Sequence, residues 1–326
     1  MQDFSFADAV RLVMRTWPFV VARFAAVCLL MATFLGMIAA GGVLGYAGGQ
    51  SFAPGLEPAG ATLGGMAGIW LGGQLAGMVH EYVIYLVKAG HIAVMVEMLD
   101  GKAIAPAGQI AHGRAVVKDR FVEASVLFAL DQLIKTVLSA MNKMAERLAR
   151  ATLIPGATLF TSLIDEVAKV SIGLLDEVIL AHNIRAREEN PWQGGVNALI
   201  LYFQNTRVML RNAGWLTLYM FLSTGVIILA VIAPFKLGLV PLHETAIPYA
   251  PIGGMLLVLI LMVTFLEPLA IAALLQIYFK VTDGQVPNRK WEAEIIKHAP
   301  AFMDLKERAA AWDKGQGAPF PGGRTA

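Results

Sequence analysis

Two pairs of opposite charges at helical spacing are the residues of this chain best placed to interact chemically. Asp131 precedes Lys135 by four positions, and Asp165 precedes Lys169 by the same distance. Residues four apart lie on one face of an α-helix, so each Asp can pair with its Lys. Pairing also lowers the cost of a charge inside a bilayer, which is a few kcal/mol for an isolated group. The pattern predicts a structural ion-pair network or a solvated helix face and, as an alternative, a proton or charge relay.

A second acidic pattern lies in the same region of the chain. The doublet Asp165-Glu166 recurs as Asp176-Glu177 eleven residues later, about three helical turns, so both doublets share a helix face. Carboxylates can bind divalent cations. Consecutive helical residues, however, point about 100° apart and make a poor chelate. We therefore expect no metal site and no cofactor here.

Two further carboxylates, Glu81 and Glu267, interrupt otherwise apolar segments, and His80 precedes the first of them. An intramembrane carboxylate is a functional-site hypothesis by default. Pro268 would free a backbone carbonyl next to Glu267 and favour a polar cavity. The alternative is that both glutamates lie at the inner membrane interface. His80 does not begin a zinc protease motif, because position 84 is Ile rather than His.

Patterns typical of enzymes do not accompany these charges. The sequence has no GxSxG, no phosphate-binding P-loop and no cluster of Cys and His. Its single cysteine, Cys28, excludes an internal disulfide and is typical of a small core residue. We therefore expect the chain not to be an enzyme.

The composition indicates a membrane protein. Of the 326 residues, 57% are hydrophobic and only 15% are charged, whereas soluble domains carry about 25% charged residues. The mean hydropathy is +0.61. No basic tract suggests a nucleic-acid partner. The expected partners are the lipid bilayer and a second membrane protein or another copy of the chain.

The elements that must position the charges repeat along the sequence. Each repeat has an Arg pair four residues apart, an apolar span, a Gly/Pro-rich loop, a second apolar span and an Asp-Gly end. These features are Arg11 and Arg15, the loop Gly48–Leu63 and Asp100-Gly101 in the first copy, and Arg207 and Arg211, the loop Pro234–Pro251 and Asp283-Gly284 in the second.

The fold class expected from this pattern is an all-α polytopic helical bundle. An amphipathic helix over residues 5–22 would lie at the membrane surface. Four apolar spans are long enough to be transmembrane helices. These spans are Phe24–Tyr46, Gly64–Leu99, Trp215–Ala233 and Ile252–Tyr278. At about 54 Å, the second exceeds a bilayer core of about 30 Å, so its end should project with Lys88, His91 and Glu97.

Two charged central helices are expected at Phe121–Arg150 and Leu159–His182, and whether they cross the membrane stays open. Lys and Arg are concentrated outside the two Gly/Pro-rich loops, which predicts an inner-membrane protein with both termini in the cytoplasm. The predicted regions are a first repeat over 1–101, a charged central hairpin over 102–192, a second repeat over 193–284 and a cytoplasmic tail over 285–326.

The most motif-like stretch runs from Asp176 to Trp192 (DEVILAHNIRAREENPW) and continues over Ala198–Asn205 (ALILYFQN). It resembles the linker and amphipathic helix that precede the last hairpin in uncharacterised bacterial polytopic membrane proteins of about six helices. A weaker similarity is to the membrane domain of choline-transporter-like proteins. The resemblance implies the same topology and supplies no known catalytic residues to carry over.

Two functions are compatible with these features. The first is a non-enzymatic scaffold or accessory subunit of a membrane complex, indicated by the small-residue spans and the lack of enzyme motifs. The second is a transporter or channel for a small solute, ion or lipid, indicated by the repeat and the intramembrane carboxylates.

Overall fold

The computed structural model describes residues 3–79, 84–120, 126, 129–141, 173–240, 244 and 250–313. These residues form helices and connections without a strand, which confirms the all-α prediction. The α-helices are α1 (Phe6–Arg15), α2 (Trp17–Phe52), α3 (Glu57–Val79), α4 (Tyr85–Leu99), α5 (Gln109–Arg120), α6 (129–141), α7 (Leu175–Ala186), α8 (Pro191–Gln204), α9 (Thr206–Lys236), α10 (Ala250–Leu261), α11 (Glu267–Thr282), α12 (Arg289–His298) and α13 (Ala301–Asp313).

Three helices are long and apolar enough to cross a membrane. They are Trp17–Phe52 with 36 residues, Thr206–Lys236 with 31, and Ala250–Thr282 with 33. The last comprises α10, a π-helical turn at Met262–Leu266 and α11. A membrane protein is thus compatible with the structure, while the predicted number of four transmembrane helices is not confirmed.

One of the four predicted transmembrane helices, Gly64–Leu99, is not among these three helices. Helix α3 ends at Val79 and α4 begins at Tyr85, with residues 80–83 outside the described part. Helix α3 has seven glycines and Gln74 among its 23 residues, and it is not among the three helices that are long and apolar enough to cross a membrane. The predicted projection of Lys88, His91 and Glu97 beyond the bilayer core stays a prediction. Within unit 1, Ala89–Val96 are buried and the His91 ring contacts the Thr16 hydroxyl at 2.7 Å.

The first predicted loop, Gly48–Leu63, is wrong at both ends. Helix α2 continues to Phe52 and α3 begins at Glu57, which leaves a connection of four residues, 53–56. Gly55 has a φ of +93°, which a glycine adopts without strain, and its N–H donates to the Glu57 carboxylate at 2.8 Å. Pro58 lies in the first turn of α3, where its missing N–H costs no hydrogen bond.

Two other predicted boundaries also differ from the structure. The segment 5–22 is not one helix, because α1 ends at Arg15 and the hydroxyl of Thr16 donates back to the Leu12 carbonyl at 3.0 Å. The predicted loop Pro234–Pro251 is too long, because α9 includes Pro234 and continues to Lys236, and α10 begins at Ala250.

Both Asp-Gly ends are confirmed. Helix α4 ends at Leu99 and α11 at Thr282, and Gly101 and Gly284 have φ angles of +87° and +67°. After α4, the N–H of Lys102 donates to the Glu97 carbonyl at 2.9 Å. The N–H of Gly101 also donates to the Met98 carbonyl at 3.1 Å, which completes a Schellman ending.

The described chain falls into two compact units. Unit 1 comprises Met1–Trp17, Ala89–Leu229 and Leu266–Ala326, and unit 2 comprises Pro18–Lys88 and Ala230–Phe265. Unit 1 has a continuous apolar core, to which α4, α7, α8 and α11 contribute most of their residues. The ion pairs described below all lie in unit 1.

In unit 2, helices α2 and α3 approach each other through glycines. A β-carbon added at Gly64 would lie 2.0 Å from the Gly41 carbonyl oxygen, and one at Gly60 would lie 2.2 Å from that of Gly45. The backbones are therefore in direct contact, as expected when small residues repeat every four positions on facing helices. This contact accounts for the glycines that face each other on α2 and α3.

Candidate functional site

The predicted pair of Asp131 and Lys135 forms, and Asp176 extends it. On α6, Lys135 Nζ lies 2.7 Å from Asp131 Oδ2, and it lies 3.8 Å from Asp176 Oδ2 on α7. Glu177, the neighbour of Asp176, is also buried. Four of the predicted polar residues are thus brought together in what we call the α6–α7 charge cluster, made of Asp131, Lys135, Asp176 and Glu177.

Burial controls the electrostatics of this cluster. Only 2% of the Asp131 side chain is exposed, against 48% of the Lys135 side chain. Burial raises the pKa of Asp131 above its ordinary value, and the negative charge of Glu177 acts in the same direction. The hydrogen bond and positive charge of Lys135 partly offset this rise in the pKa. The geometry fits the ion-pair network predicted from the sequence.

Glu267 begins α11 directly after the π-helical turn Met262–Leu266. Pro268 follows it and cannot donate a backbone hydrogen bond to the carbonyl of Thr264, which explains why the regular α-helical pattern breaks here. Thr264 is fully buried, and its hydroxyl has no hydrogen-bond partner among the described residues. The sequence thus located the break correctly, although not its π-helical form.

The remaining predicted site residues cannot be placed. His80, Glu81, Asp165 and Lys169 lie outside the described residues. The predicted pairing of Asp165 with Lys169, and the functional-site hypothesis for Glu81, therefore stay predictions.

A second polar cluster joins the N-terminus to α9 and was not predicted. Asp3 Oδ2 accepts hydrogen bonds from Arg211 at 2.5 Å and Asn212 at 2.7 Å, and Lys280 Nζ lies 4.0 Å from Asp3 Oδ1. The Asn212 hydrogen bond and the charges of Arg211 and Lys280 lower the pKa of Asp3, although burial opposes this. These partners are about two hundred or more positions apart in the sequence, so no local pattern could indicate them.

Helix α7 contributes two further contacts to unit 1. Arg185 Nε lies 2.9 Å from Asp100 Oδ1, and its guanidinium lies 4.3 Å from the centre of the Phe279 ring. One turn earlier, His182 Nδ1 and the Tyr278 hydroxyl are 3.1 Å apart. Burial lowers the pKa of His182 to about 4, and the positive charge of Arg185 adds to this effect.

Two other charged residues were missed as site candidates. Glu97 contacts Lys102 Nζ at 2.6 Å and His112 Nε2 at 2.5 Å. Burial raises the pKa of Glu97, but these two contacts outweigh it and leave the pKa below its ordinary value. Arg23 lies inside α2 and is almost fully buried, one position before the span predicted from the sequence.

No protein-family model matches this chain, and neither a curated protein nor a solved structure is significantly similar to it. The resemblance to six-helix bacterial membrane proteins and to choline-transporter-like proteins therefore stays a prediction.

Proposed function

We propose that the chain is a multi-pass inner-membrane protein that acts as a non-enzymatic scaffold or accessory subunit of a membrane complex. The observation that carries this proposal is the separation of two kinds of surface. The ion pairs described above belong to unit 1, whereas the exposed large apolar side chains lie mainly in unit 2 and on residues 215–229 of α9. One part of the chain is thus suited to lipid, and the other can present a polar surface to a partner.

The exposed side chains of unit 2 support the membrane location. Leu44 is 73% exposed and Trp70 is 65% exposed, and similar side chains follow one another along α2 and α3. Contiguous apolar surface of this kind is rare on soluble monomers and indicates an interaction site or a membrane. A bilayer would remove it from water, at a gain of about 25 cal/mol per Å².

Helix α3 is the proposed fourth transmembrane helix. Its 23 residues span about 35 Å, which exceeds a bilayer core of about 30 Å. Its glycines contact the backbone of α2, so its small residues are explained by packing. With four crossings, the chain forms two repeated hairpins, each preceded by an amphipathic segment, and both termini face the cytoplasm where the Lys and Arg clusters lie.

Transport is the second candidate function, and the π-helical turn favours it. π-turns are frequently found at functional sites, and this one lies in an apolar helix, contains the buried Thr264 and is followed by Glu267. A carboxylate within an apolar helix could hold a proton or an ion during transport.

The two functions can be separated with the full-length protein. We expect gentle purification from native membranes to retain a partner at fixed stoichiometry, and proteoliposomes of the purified protein to show no ion flux above that of empty vesicles. Glu267→Gln tests the alternative, with Glu57→Gln at the first residue of α3 as its control. A proton or ion flux that Glu267→Gln abolishes and Glu57→Gln preserves would replace the scaffold proposal by transport.

A further inference from the structure

We propose that a cavity in unit 1 binds the phosphate group of an anionic ligand, either a phospholipid headgroup or a free phosphate ester. The cavity has a volume of about 400 Å³, within the range of small-molecule sites. Side chains from the N-terminus, α7 and α11 line it, including Asp3, Ser5, Arg185, Gln276, Phe279 and Lys280. We call it the α7–α11 cavity.

The charges around the α7–α11 cavity favour a monoanion. Asp3 is held by Arg211 at 2.5 Å, and Asp100 is held by Arg185 at 2.9 Å. Lys280 Nζ lies 4.0 Å from Asp3 Oδ1, on a carboxylate that already has a closer cation, and it donates a hydrogen bond to the Asp3 backbone carbonyl at 3.4 Å. Three cations around two carboxylates leave one positive charge, which matches the single negative charge of a phosphodiester.

The hydrogen-bond donors of the cavity also suit phosphate oxygens. Gln276 Oε1 accepts the Ser5 N–H at 3.2 Å, whereas its Nε2 is buried without an acceptor among the described residues. A buried donor without an acceptor costs about 1–3 kcal/mol. The Nε of Arg185 faces Asp100, and its guanidinium is held against the Phe279 ring. A phosphate group would supply acceptors to Gln276 and Arg185 and a charge partner to Lys280.

The place of Lys280 in the chain makes a lipid a natural source of the phosphate. Lys280 lies in the last turn of α11, at the end of the third long apolar helix, Ala250–Thr282. Cations at such positions extend to the headgroup region of a bilayer. The lipid source rests on the proposed membrane location, whereas binding of a free phosphate ester does not.

The experiment measures the thermal melting of the full-length protein in a phosphate-free maltoside detergent at constant ionic strength. The probes are dihexanoyl phosphatidylglycerol, dihexanoyl glycerol, which lacks the phosphate, and glycerophosphoglycerol, the same phosphodiester without acyl chains. We expect phosphatidylglycerol to raise the melting temperature saturably and dihexanoyl glycerol to have no effect. An equal, competing shift from glycerophosphoglycerol would identify a free phosphate ester as the ligand, and no such shift would identify the lipid.

Variants test whether the shift comes from this cavity. Lys280→Gln should weaken binding about tenfold or more, and Gln276→Glu should abolish it by placing a negative charge beside the phosphate. The Lys280 side chain is 64% exposed, so this variant should fold, and each variant is compared with its own melting temperature. Lys290→Gln, an exposed lysine outside the cavity, should bind like the parent.

Two results would overturn the proposal. The first is that neither phosphate compound shifts the melting temperature of the parent protein. The second is that Lys280→Gln and Gln276→Glu keep the full shift in melting temperature, or that Lys290→Gln reduces this shift as much as Lys280→Gln does. In the latter case the attraction would be a diffuse charge effect.

Discussion

Asp131 is almost fully buried, while its partner Lys135 keeps nearly half of its side chain in solvent. This asymmetry makes the pair suited to a structural role, because the lysine neutralises a buried carboxylate without being fully desolvated itself. Asp176 adds a second carboxylate on the same lysine, so one cation supports the contact between α6 and α7.

Replacing Lys135 by Met should destabilise the protein by about 1–3 kcal/mol. The variant leaves Asp131 buried without its cation, and the cost is below that of breaking a fully buried pair because Lys135 is half-exposed. Thermal melting in detergent measures the loss, and Lys290→Met on the exposed face of α12 is the control. Equal melting of Lys135→Met and the parent would contradict a structural role for the α6–α7 charge cluster.

His182 should make stability depend on pH. Its pKa is about 4 in the folded protein against an ordinary value of 6.5. Between these values the unfolded chain binds the proton and the folded protein does not, so the free energy of unfolding falls as the pH decreases from 6.5 to 4. The loss between pH 7.5 and pH 5 should be about 2 kcal/mol.

The test of this pH dependence compares melting temperatures at pH 7.5 and pH 5 for the parent and His182→Gln. Glutamine cannot take up a proton, so the variant should show a smaller drop in melting temperature than the parent. The same drop in both proteins would show that His182 is not the group responsible.

At the scale of the elements, helix α3 shows how packing and hydropathy can diverge. Its glycines make it less apolar than the three long apolar helices, and the same glycines let its backbone contact that of α2. Gly64 and Gly65 are neighbours with opposite surroundings. A β-carbon at Gly64 would overlap the Gly41 carbonyl oxygen, whereas one at Gly65 would have no atom within 4 Å.

Gly64→Ala should therefore destabilise the protein by about 1–3 kcal/mol, because the two helices must separate to admit a methyl group. Gly65→Ala should be neutral or stabilising by up to about 1 kcal/mol, because alanine favours the helix and meets open space. Thermal melting in the same detergent compares the two variants. Equal effects of both substitutions would argue against direct backbone contact between α2 and α3.

At the scale of the whole molecule, the orientation in the membrane is the main untested prediction. The α2–α3 connection should face the outside, and α1 and α13 should face the cytoplasm. A Cys28→Ala background removes the only cysteine, so that single cysteines can report on exposed positions. Suitable positions are Ser51 near the connection, Arg11 on α1 and Met303 on α13, all of which are exposed.

In intact cells, a membrane-impermeant maleimide should label Ser51→Cys and leave Arg11→Cys and Met303→Cys unlabelled. All three should react once the cells are opened, which controls for accessibility. Labelling of position 11 or 303 in intact cells would reverse or reject the proposed topology. Phe4 would be a poor reporter, because its side chain is buried.

Local patterns in the sequence determined the features that depend on local physics. The Asp-Gly ends of α4 and α11 followed from the tolerance of glycine for positive φ, and the Asp131–Lys135 pair followed from helical spacing. The long apolar spans followed from composition alone. The predicted loop Gly48–Leu63 failed because many glycines suggested a flexible connection, whereas Gly49 and Gly60 lie within helices at the contact between α2 and α3.

Only the tertiary structure decided which distant groups meet. It brings Asp176 to Lys135, Asp3 to Arg211 and Arg185 to both Asp100 and Phe279. It also buries His91 and His182. The sequence pattern around these two histidines is equally compatible with a position at the surface. The physical reason is that spacing along a helix gives the face on which a side chain lies, while the neighbour of that face depends on how separate helices pack.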